Sequence, residues 1–130
     1  MTYLLDTNAW IRLVQAPDEL SKNALQEISR AKTLAISPQS IIEVSQKWSK
    51  DPEFLNAPLE EWVARALGRF ISLFPITPEI ACDAYRLRDF HGDPADRVIS
   101  ATARHHRTTL ITSDKRLLAH PEVKTLSTRR

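Results

Sequence analysis

Five acidic residues occupy positions from which their carboxylates could act together. They are Asp6, Glu43, Asp93, Asp96 and Asp114. Converging carboxylates repel one another, and the usual remedy is a hard divalent cation with oxygen ligands, such as Mg²⁺ or Mn²⁺. Such an ion can activate water and stabilise both oxygens in the displacement of a phosphodiester. If the fold brings the acids together, they predict metal-dependent cleavage of a polyanion.

Each acid also has a purely structural interpretation. Asp6, Asp93 and Asp114 each precede a predicted helix, where Asp is a favoured N-cap. Asp96 falls in the first turn of its helix, where the helix dipole favours an acid. Glu43 lies away from the apolar stripe of its helix, so periodicity predicts a solvated side chain. No acid identifies a site by itself.

The elements that must position these acids alternate between short strands and helices. Apolar runs predict strands at about 3–5, 34–36, 72–76, 108–112 and, at an edge, 123–126. Amphipathic segments predict helices between them, beginning near 9, 18, 38, 59, 78, 95 and 114. This order is typical of an α/β fold with a central parallel sheet of about four to five short strands flanked by helices. In such sheets ligands bind at the carboxyl ends of the strands, where Asp6 and Asp114 fall.

Length and composition predict one domain, residues 1–130, that folds by itself in the cytoplasm. The 130 residues are 42% apolar and 26% charged, which argues against a disordered or low-complexity chain. Cys82 is the only cysteine, which excludes an intramolecular disulfide or a cysteine zinc cluster and favours a reducing compartment. No stretch approaches the ~20 apolar residues of a membrane span, so no membrane partner is expected.

The net charge of +2 conceals an uneven distribution. Residues 1–96 hold 10 basic and 14 acidic residues, whereas residues 97–130 hold 8 and 2. A basic C-terminal quarter can attract a polyanion such as nucleic acid. Arg97, Lys115 and Arg116 flank the proposed acids and are candidate phosphate contacts, with a solvated surface as the alternative.

Several other enzyme classes lack their required residues. The only two glycines are Gly68 and Gly92, so the chain has no glycine-rich phosphate loop. The four histidines do not have the spacing of a zinc site. Neither Ser40 nor Ser113 has the His and Asp partners that would indicate a hydrolase triad.

An ordered set of motifs resembles PIN-domain proteins of the VapC toxin type and covers nearly the whole chain. The motifs are Leu5–Asn8, Ile42–Val44, His91–Arg97 continuing into Ile99–Ala103, and Thr112–Asp114. The resemblance implies a PIN-like three-layer fold. It also implies an endoribonuclease that depends on Mg²⁺ or Mn²⁺ and serves as the toxin of a toxin–antitoxin pair. Its partners would be RNA, a small antitoxin protein and, as is common in the family, a second copy of the chain.

The resemblance also assigns roles to the acids. It makes Asp6 and Asp96 direct metal ligands, with Asp114 bound directly or through water. Glu43 would position the ion or the attacking water, an assignment that replaces the solvated position predicted by periodicity. Asp93 belongs to the same motif, as an auxiliary ligand or as the N-cap.

Three further residues would support this site. Thr7 and Asn8 would support the loop at Asp6, Asn8 through a side-chain hydrogen bond, and Ser113 belongs to the last motif. Two rival functions remain open. One is a catalytically silent PIN-like module that binds RNA or a protein, and the other is a DNA-directed nuclease of related fold.

Overall fold

The computed structural model describes residues 1–90 and 93–130. Within them the strands are β1 Thr2–Leu5, β2 Thr33–Ile36, β3 Ile71–Leu73, β4 Thr109–Thr112 and β5 Thr125–Ser127. The α-helices are α1 Thr7–Gln15, α2 Lys22–Arg30, α3 Pro38–Lys50, α4 Leu59–Leu67, α5 Pro78–Asp83, α6 Pro94–His105 and α7 Lys115–Leu118. His91 and Gly92, the first two residues of one predicted motif, lie outside the described residues.

The five strands form one parallel sheet in the order β3-β2-β1-β4-β5. The predicted α/β fold with a central parallel sheet is therefore confirmed. Strand β1 is central, and its Leu5 pairs with Ile111 of β4. From β1 the chain first winds outward to β2 and β3, and then returns to place β4 on the other side of β1. The boundary between β1 and β4 is thus the switch point, where parallel sheets form their ligand crevice.

Alternate residues of the strands face opposite layers of helices. Tyr3 and Leu5 pack into a core with residues from α1, α3 and α4. Leu4, between them, packs on the opposite face with residues from α6 and α7. This alternation follows from the two-residue period of a strand, and it produces the expected three layers.

Side-chain caps explain where several helices begin. The Ser37 hydroxyl accepts a hydrogen bond from the Gln39 amide at 3.1 Å, and the Thr77 hydroxyl accepts one from the Ile80 amide at 3.2 Å. A proline follows each cap and occupies the start of α3 or α5. These contacts explain why α3 and α5 begin at the predicted positions, near 38 and 78.

Two predicted helices are shorter in the structure. The segment predicted to begin at Asp18 forms a single 3-10 turn, Pro17–Glu19, and α2 begins only after Ser21, whose hydroxyl accepts from the Ala24 amide at 3.0 Å. The apolar pattern from residue 78 predicts a helix that continues to about residue 89, but α5 ends at Asp83. The Ala84 carbonyl accepts from the Arg97 guanidinium at 3.1 Å, and the Arg88 amide donates to Glu122 at 3.3 Å. Directly after α5 the Tyr85 and Arg86 amides donate to carbonyls three residues earlier, at 3.2 and 3.0 Å, which is the 3-10 pattern that ends the α-helix.

None of the helices in residues 1–90 and 93–130 combines the length and the apolar character needed to cross a bilayer.

Candidate active site

Asp6 connects the centre of the sheet to the first helix. It follows β1 directly, and its amide donates to the Ile111 carbonyl of β4 at 3.1 Å. Its carboxylate accepts from the Ala9 amide at 2.8 Å and so caps α1. Only 7% of the residue is exposed. The capping role considered for Asp6 is therefore real, and the same carboxylate is buried at the switch point.

The surroundings of Asp6 disfavour its negative charge. Burial is the main reason that the pKa of its carboxyl is raised to about 6. The Thr112 hydroxyl and the Ala9 amide favour the charged form and oppose this rise. The negative charges of Asp96 and Glu43 raise the pKa further. The structure therefore brings these two acids to within electrostatic reach of Asp6.

Glu43 is half-buried in α3 and is tied to the residue that follows Asp6. The Thr7 hydroxyl donates to Glu43 Oε1 and is also hydrogen-bonded to the Ser40 hydroxyl at 2.9 Å. Burial raises the pKa of Glu43, the Thr7 hydroxyl opposes the rise, and the charges of Asp96 and Asp93 add to it. The solvated position predicted from periodicity was wrong.

The two acids of α6 have different local roles. Asp93 is exposed and caps the helix, accepting from the Ala95 amide at 2.9 Å and the Asp96 amide at 3.5 Å. Asp96 is half-buried, and its charge raises the pKa of both Asp6 and Glu43. Of the two, Asp96 is the acid whose charge acts on both Asp6 and Glu43. We call Asp6, Glu43 and Asp96 the acidic centre.

Asp114 lies two residues beyond the end of β4. Its Oδ1 accepts from the Arg116 amide at 2.8 Å, which caps α7, and lies 3.7 Å from the Arg116 Nε. Its Oδ2 makes no hydrogen bond or ion pair within residues 1–90 and 93–130. The helix-start interpretation of Asp114 is confirmed, and one oxygen remains available to a ligand.

The donor atoms of this acidic centre suit a hydrated ion rather than an enclosed one. Among the described residues, no three Asp, Glu, His or Cys side chains stand close enough together to hold a metal ion. Mg²⁺ is commonly bound through only one or two carboxylates and keeps several waters. The buried carboxylate of Asp6 and the half-buried carboxylates of Glu43 and Asp96 repel one another and supply oxygen ligands, which fits such an ion.

The three supporting residues differ in how they are held. Thr7 is buried and bonds Glu43, as a supporting residue should. Asn8 is exposed and makes no side-chain hydrogen bond in the described part of the chain, so the bond expected from it is not formed there. Ser113 accepts from Arg12 through its hydroxyl at 3.1 Å and from Arg129 through its carbonyl at 2.7 Å.

The candidate phosphate contacts separate into two groups. Arg97 donates to the carbonyls of Ala84 at 3.1 Å and Phe90 at 3.4 Å, and its guanidinium lies about 5 Å from the rings of Tyr85 and Phe90. It is thus engaged in holding the segment before α6. Lys115 and Arg116 are exposed at the start of α7.

Sequence reasoning missed two basic residues at this edge, Arg12 and Arg129. Arg12 lies one helical turn after Asn8 and therefore on the same side of α1. This spacing could have predicted a basic side chain on the face of α1 that carries Asn8. Arg129 lies beyond the last strand, where no pattern predicted a contact with Ser113.

Comparison with known proteins agrees with this architecture. The family model described as PIN domain matches residues 3–123. The chain is 36% identical over 120 residues to ribonuclease VapC22 of Mycobacterium tuberculosis, a match that covers 92% of each chain.

Solved structures of similar fold include two toxin–antitoxin proteins. A toxin–antitoxin complex from Klebsiella pneumoniae is 29% identical, with a TM-score of 0.69 and coverage of 93% of this chain and 94% of the other. VapBC2 from Rickettsia felis, solved with a promoter DNA fragment, is 18% identical, with a TM-score of 0.75 and coverage of 98% of both chains. With a parallel sheet, an acid at its switch point and a family match across most of its length, the chain belongs to the PIN-domain family.

Proposed function

We propose that this protein is an endoribonuclease that depends on Mg²⁺ or Mn²⁺ and acts as the toxin of a toxin–antitoxin pair. The observation that carries the proposal is the buried carboxyl of Asp6, whose pKa is raised by burial and by the charges of Asp96 and Glu43. Such an arrangement is costly without a cation, and acids of this kind cluster at functional sites. Similarity to ribonuclease VapC22 supports RNA as the substrate.

The described side chains have distinct roles in this proposal. Asp6 and Asp96 hold the ion, and Glu43, oriented by Thr7, positions the ion or the attacking water. Asp114 contributes its Oδ2 directly or through water. When bound, the ion would activate a water molecule and stabilise charge on the phosphate oxygens.

Asp93 and the basic residues complete the proposed site. Asp93 caps α6 and adds negative charge near Glu43, so it acts as an auxiliary ligand at most. Lys115 and Arg116 are exposed beside Asp114 and would contact phosphates of the RNA. Arg97 is left out of this role because its guanidinium is committed to backbone carbonyls.

The proposed partners are a small antitoxin protein and a second copy of the chain. The Klebsiella pneumoniae relative is a toxin–antitoxin complex, which supports the first. Large apolar side chains on the surface, including Phe70 at 88% exposure, support protein association in general. We place the activity in the cytoplasm, where a single unpaired cysteine is stable as a thiol.

The rival function is a catalytically silent PIN-like module that binds RNA or protein. It is favoured by the absence of three metal-ligating side chains in close contact among the described residues. The two functions differ in a simple respect, because only the enzyme breaks phosphodiester bonds.

A cleavage assay tests the proposal. Purified protein is mixed with labelled RNA and with DNA of the same sequence, with Mg²⁺, Mn²⁺ or a chelator. We expect cleavage of RNA only with metal, and its loss in Asp6→Asn and Asp96→Asn. Glu53→Gln, the corresponding carboxylate-to-amide change at an exposed acid, is the control and should cleave as the wild type does.

Three outcomes would contradict the proposal. Cleavage that persists in chelator and survives both active-site substitutions would exclude the assigned acids. Absence of cleavage with retained RNA binding would favour the silent module. Preferential cleavage of DNA would show that the substrate is DNA and not RNA.

The toxin role has its own test. Induced expression of the wild type should stop bacterial growth, and induced expression of Asp6→Asn should not.

A further inference from the structure

We propose that Arg12 and Arg129 together bind a phosphate of the RNA strand beside the acidic centre. No residue of the resemblance motifs supplies this pair. The assignment rests on the proposed function, because RNA is the polyanion that this function requires.

The two arginines converge on a single residue from opposite ends of the chain. Arg12, in α1, donates through Nη1 to the Ser113 hydroxyl at 3.1 Å. Arg129, after β5, donates through Nε to the Ser113 carbonyl at 2.7 Å. Two cations bonded to one serine lie within about one Debye length, ~10 Å, so they repel each other appreciably. A structure that needed only to hold Ser113 could use neutral donors.

Nearby acids do not neutralise this pair. Glu19 lies 3.6 Å from Arg12 Nε, but its side chain is 61% exposed, and such surface ion pairs are weak. Arg129 has no acidic partner within residues 1–90 and 93–130. Asp114 follows Ser113 directly but is ion-paired with Arg116, so the charge of Arg129 remains without an acidic partner in this part of the structure.

The pair is correctly placed for a strand that passes over the acids. Ser113 directly follows Thr112, whose hydroxyl lies beside the Asp6 carboxyl. Arg129 also lines a cleft of about 880 Å³ between the start of α2 and β5. Lys22 and Arg130 line the same cleft, with Asp18 as its one acid, so its lining is basic on balance. A strand with one phosphate at Asp6 would meet the arginine pair next and could continue into this basic cleft.

The unused donors of the two side chains suit a phosphate. A guanidinium carries five N–H donors in a planar fork that matches two phosphate oxygens. Arg129 uses Nε toward Ser113, so both of its terminal nitrogens remain for a ligand. Arg12 retains Nη2.

RNA binding without cleavage tests the pair directly. The parent protein carries Asp6→Asn, and its affinity for a short fluorescent single-stranded RNA is measured by anisotropy in Mg²⁺ at several KCl concentrations. We expect Arg12→Gln and Arg129→Gln each to weaken binding on the order of fivefold. Each should also reduce the slope of log affinity against log salt by about 0.7, the value for one phosphate contact on a single strand.

Lysine variants show whether the two arginines bind phosphate or only hold Ser113 in position. Arg12→Lys and Arg129→Lys keep the charge and should keep most of the salt slope, whereas the shape of the arginine fork is lost. If the arginines only position Ser113, the lysine variants should be as defective as the glutamine variants. Arg86→Gln, which removes an exposed arginine paired with Asp83 at 2.6 Å, is the matched control and should bind as the parent does.

Three results would overturn the inference. The first is a folded Arg12→Gln/Arg129→Gln double variant that binds RNA with the affinity and salt slope of the parent. The second is lysine variants as defective as the glutamine variants. The third is that polyglutamate, an acidic peptide, binds the glutamine variants more weakly than the parent while RNA binds all of them equally. That result would assign the pair to a protein ligand. Because these measurements involve no cleavage, a failure of RNA binding here and a failure of the wild type to cut RNA are separate results, the first contradicting this inference and the second the proposed function.

Discussion

The Thr7 hydroxyl donates a hydrogen bond to the Glu43 carboxylate and so joins the start of α1 to the middle of α3. Thr7 is buried, follows Asp6 in the chain and also contacts the Ser40 hydroxyl. The bond fixes the position of one acid of the centre relative to another. It also favours the charged form of Glu43 against the effect of burial, which raises the pKa of that carboxyl.

Removing this hydroxyl should weaken both the site and the fold. Thr7→Val keeps the shape of the side chain but leaves Glu43 and Ser40 without their partner. We expect RNA cleavage to fall on the order of tenfold, as for other residues that orient ligands, and the free energy of unfolding to fall by about 1–2 kcal/mol. Thr7→Ser, which restores a hydroxyl, should recover most of the cleavage rate. Equal rates in Thr7→Val and wild type would show that the bond has no part in the reaction.

Burial of Asp6 should make the metal-free protein less stable as the pH rises. The pKa of this carboxyl is about 6 in the folded protein against an ordinary value of 3.8. The folded state therefore holds the proton more tightly, and the free energy of unfolding should fall between about pH 4 and pH 6 and stay low above that. The full loss corresponds to about 3 kcal/mol.

Asp6→Asn should remove this loss while keeping the cap, since Asn caps a helix as well as Asp does. In chelator at neutral pH the variant should exceed wild type in unfolding free energy by about 1–3 kcal/mol, and at pH 4 the difference should vanish. Denaturant unfolding at both pH values is the measurement. Asp18→Asn, at an exposed acid, should show no such difference. A variant less stable than wild type at neutral pH would refute the argument from burial.

Metal binding should stabilise the protein through some acids and not others. At a hundred times its Kd, Mn²⁺ should add about 2.7 kcal/mol to the free energy of unfolding of the wild type. Asp6→Asn and Asp96→Asn should lose most of this gain. Asp93→Asn keeps the cap of α6 and should retain most of it. The melting temperature with and without Mn²⁺ measures the effect, and equal shifts in all four proteins would place the ion elsewhere.

Arg97 and Lys115 should behave oppositely. Arg97→Gln removes donors to the Ala84 and Phe90 carbonyls, so it should lower the free energy of unfolding by about 1–3 kcal/mol. Its folded fraction should bind RNA with an unchanged salt slope. Lys115→Gln, at an exposed position, should change stability by less than about 0.5 kcal/mol and reduce the slope by about 0.7. The reverse pattern would restore Arg97 as a phosphate contact.

Strand ends were predictable from the sequence because they depend on local signals. Asp6 and Asp114 follow short apolar runs, and the structure places each beyond the carboxyl end of its strand. The strand order was not predictable, since the pairing of Leu5 with Ile111 joins segments that are distant in the chain. No local pattern encodes which strands become neighbours.

The surroundings of individual side chains were hard to predict for a related reason. Periodicity assigns one buried stripe to a helix, but α3 packs against both α1 and α6, and Glu43 lies half-buried where α1 approaches. Arg97 has the flanking position of a phosphate contact, yet its partners are carbonyls of a segment whose path the sequence did not reveal. In both cases the deciding contacts come from other elements.

The central position of β1 sets a limit on when the site can exist during synthesis. Asp6 leaves the ribosome before β4, whose Ile111 and Thr112 lie beside it and follow more than a hundred residues later. Until then one edge of β1 has no partner, and the surroundings that bury Asp6 are absent. A nascent chain therefore cannot carry a finished acidic centre until β4 has also left the ribosome, and no activity of that centre can begin before then.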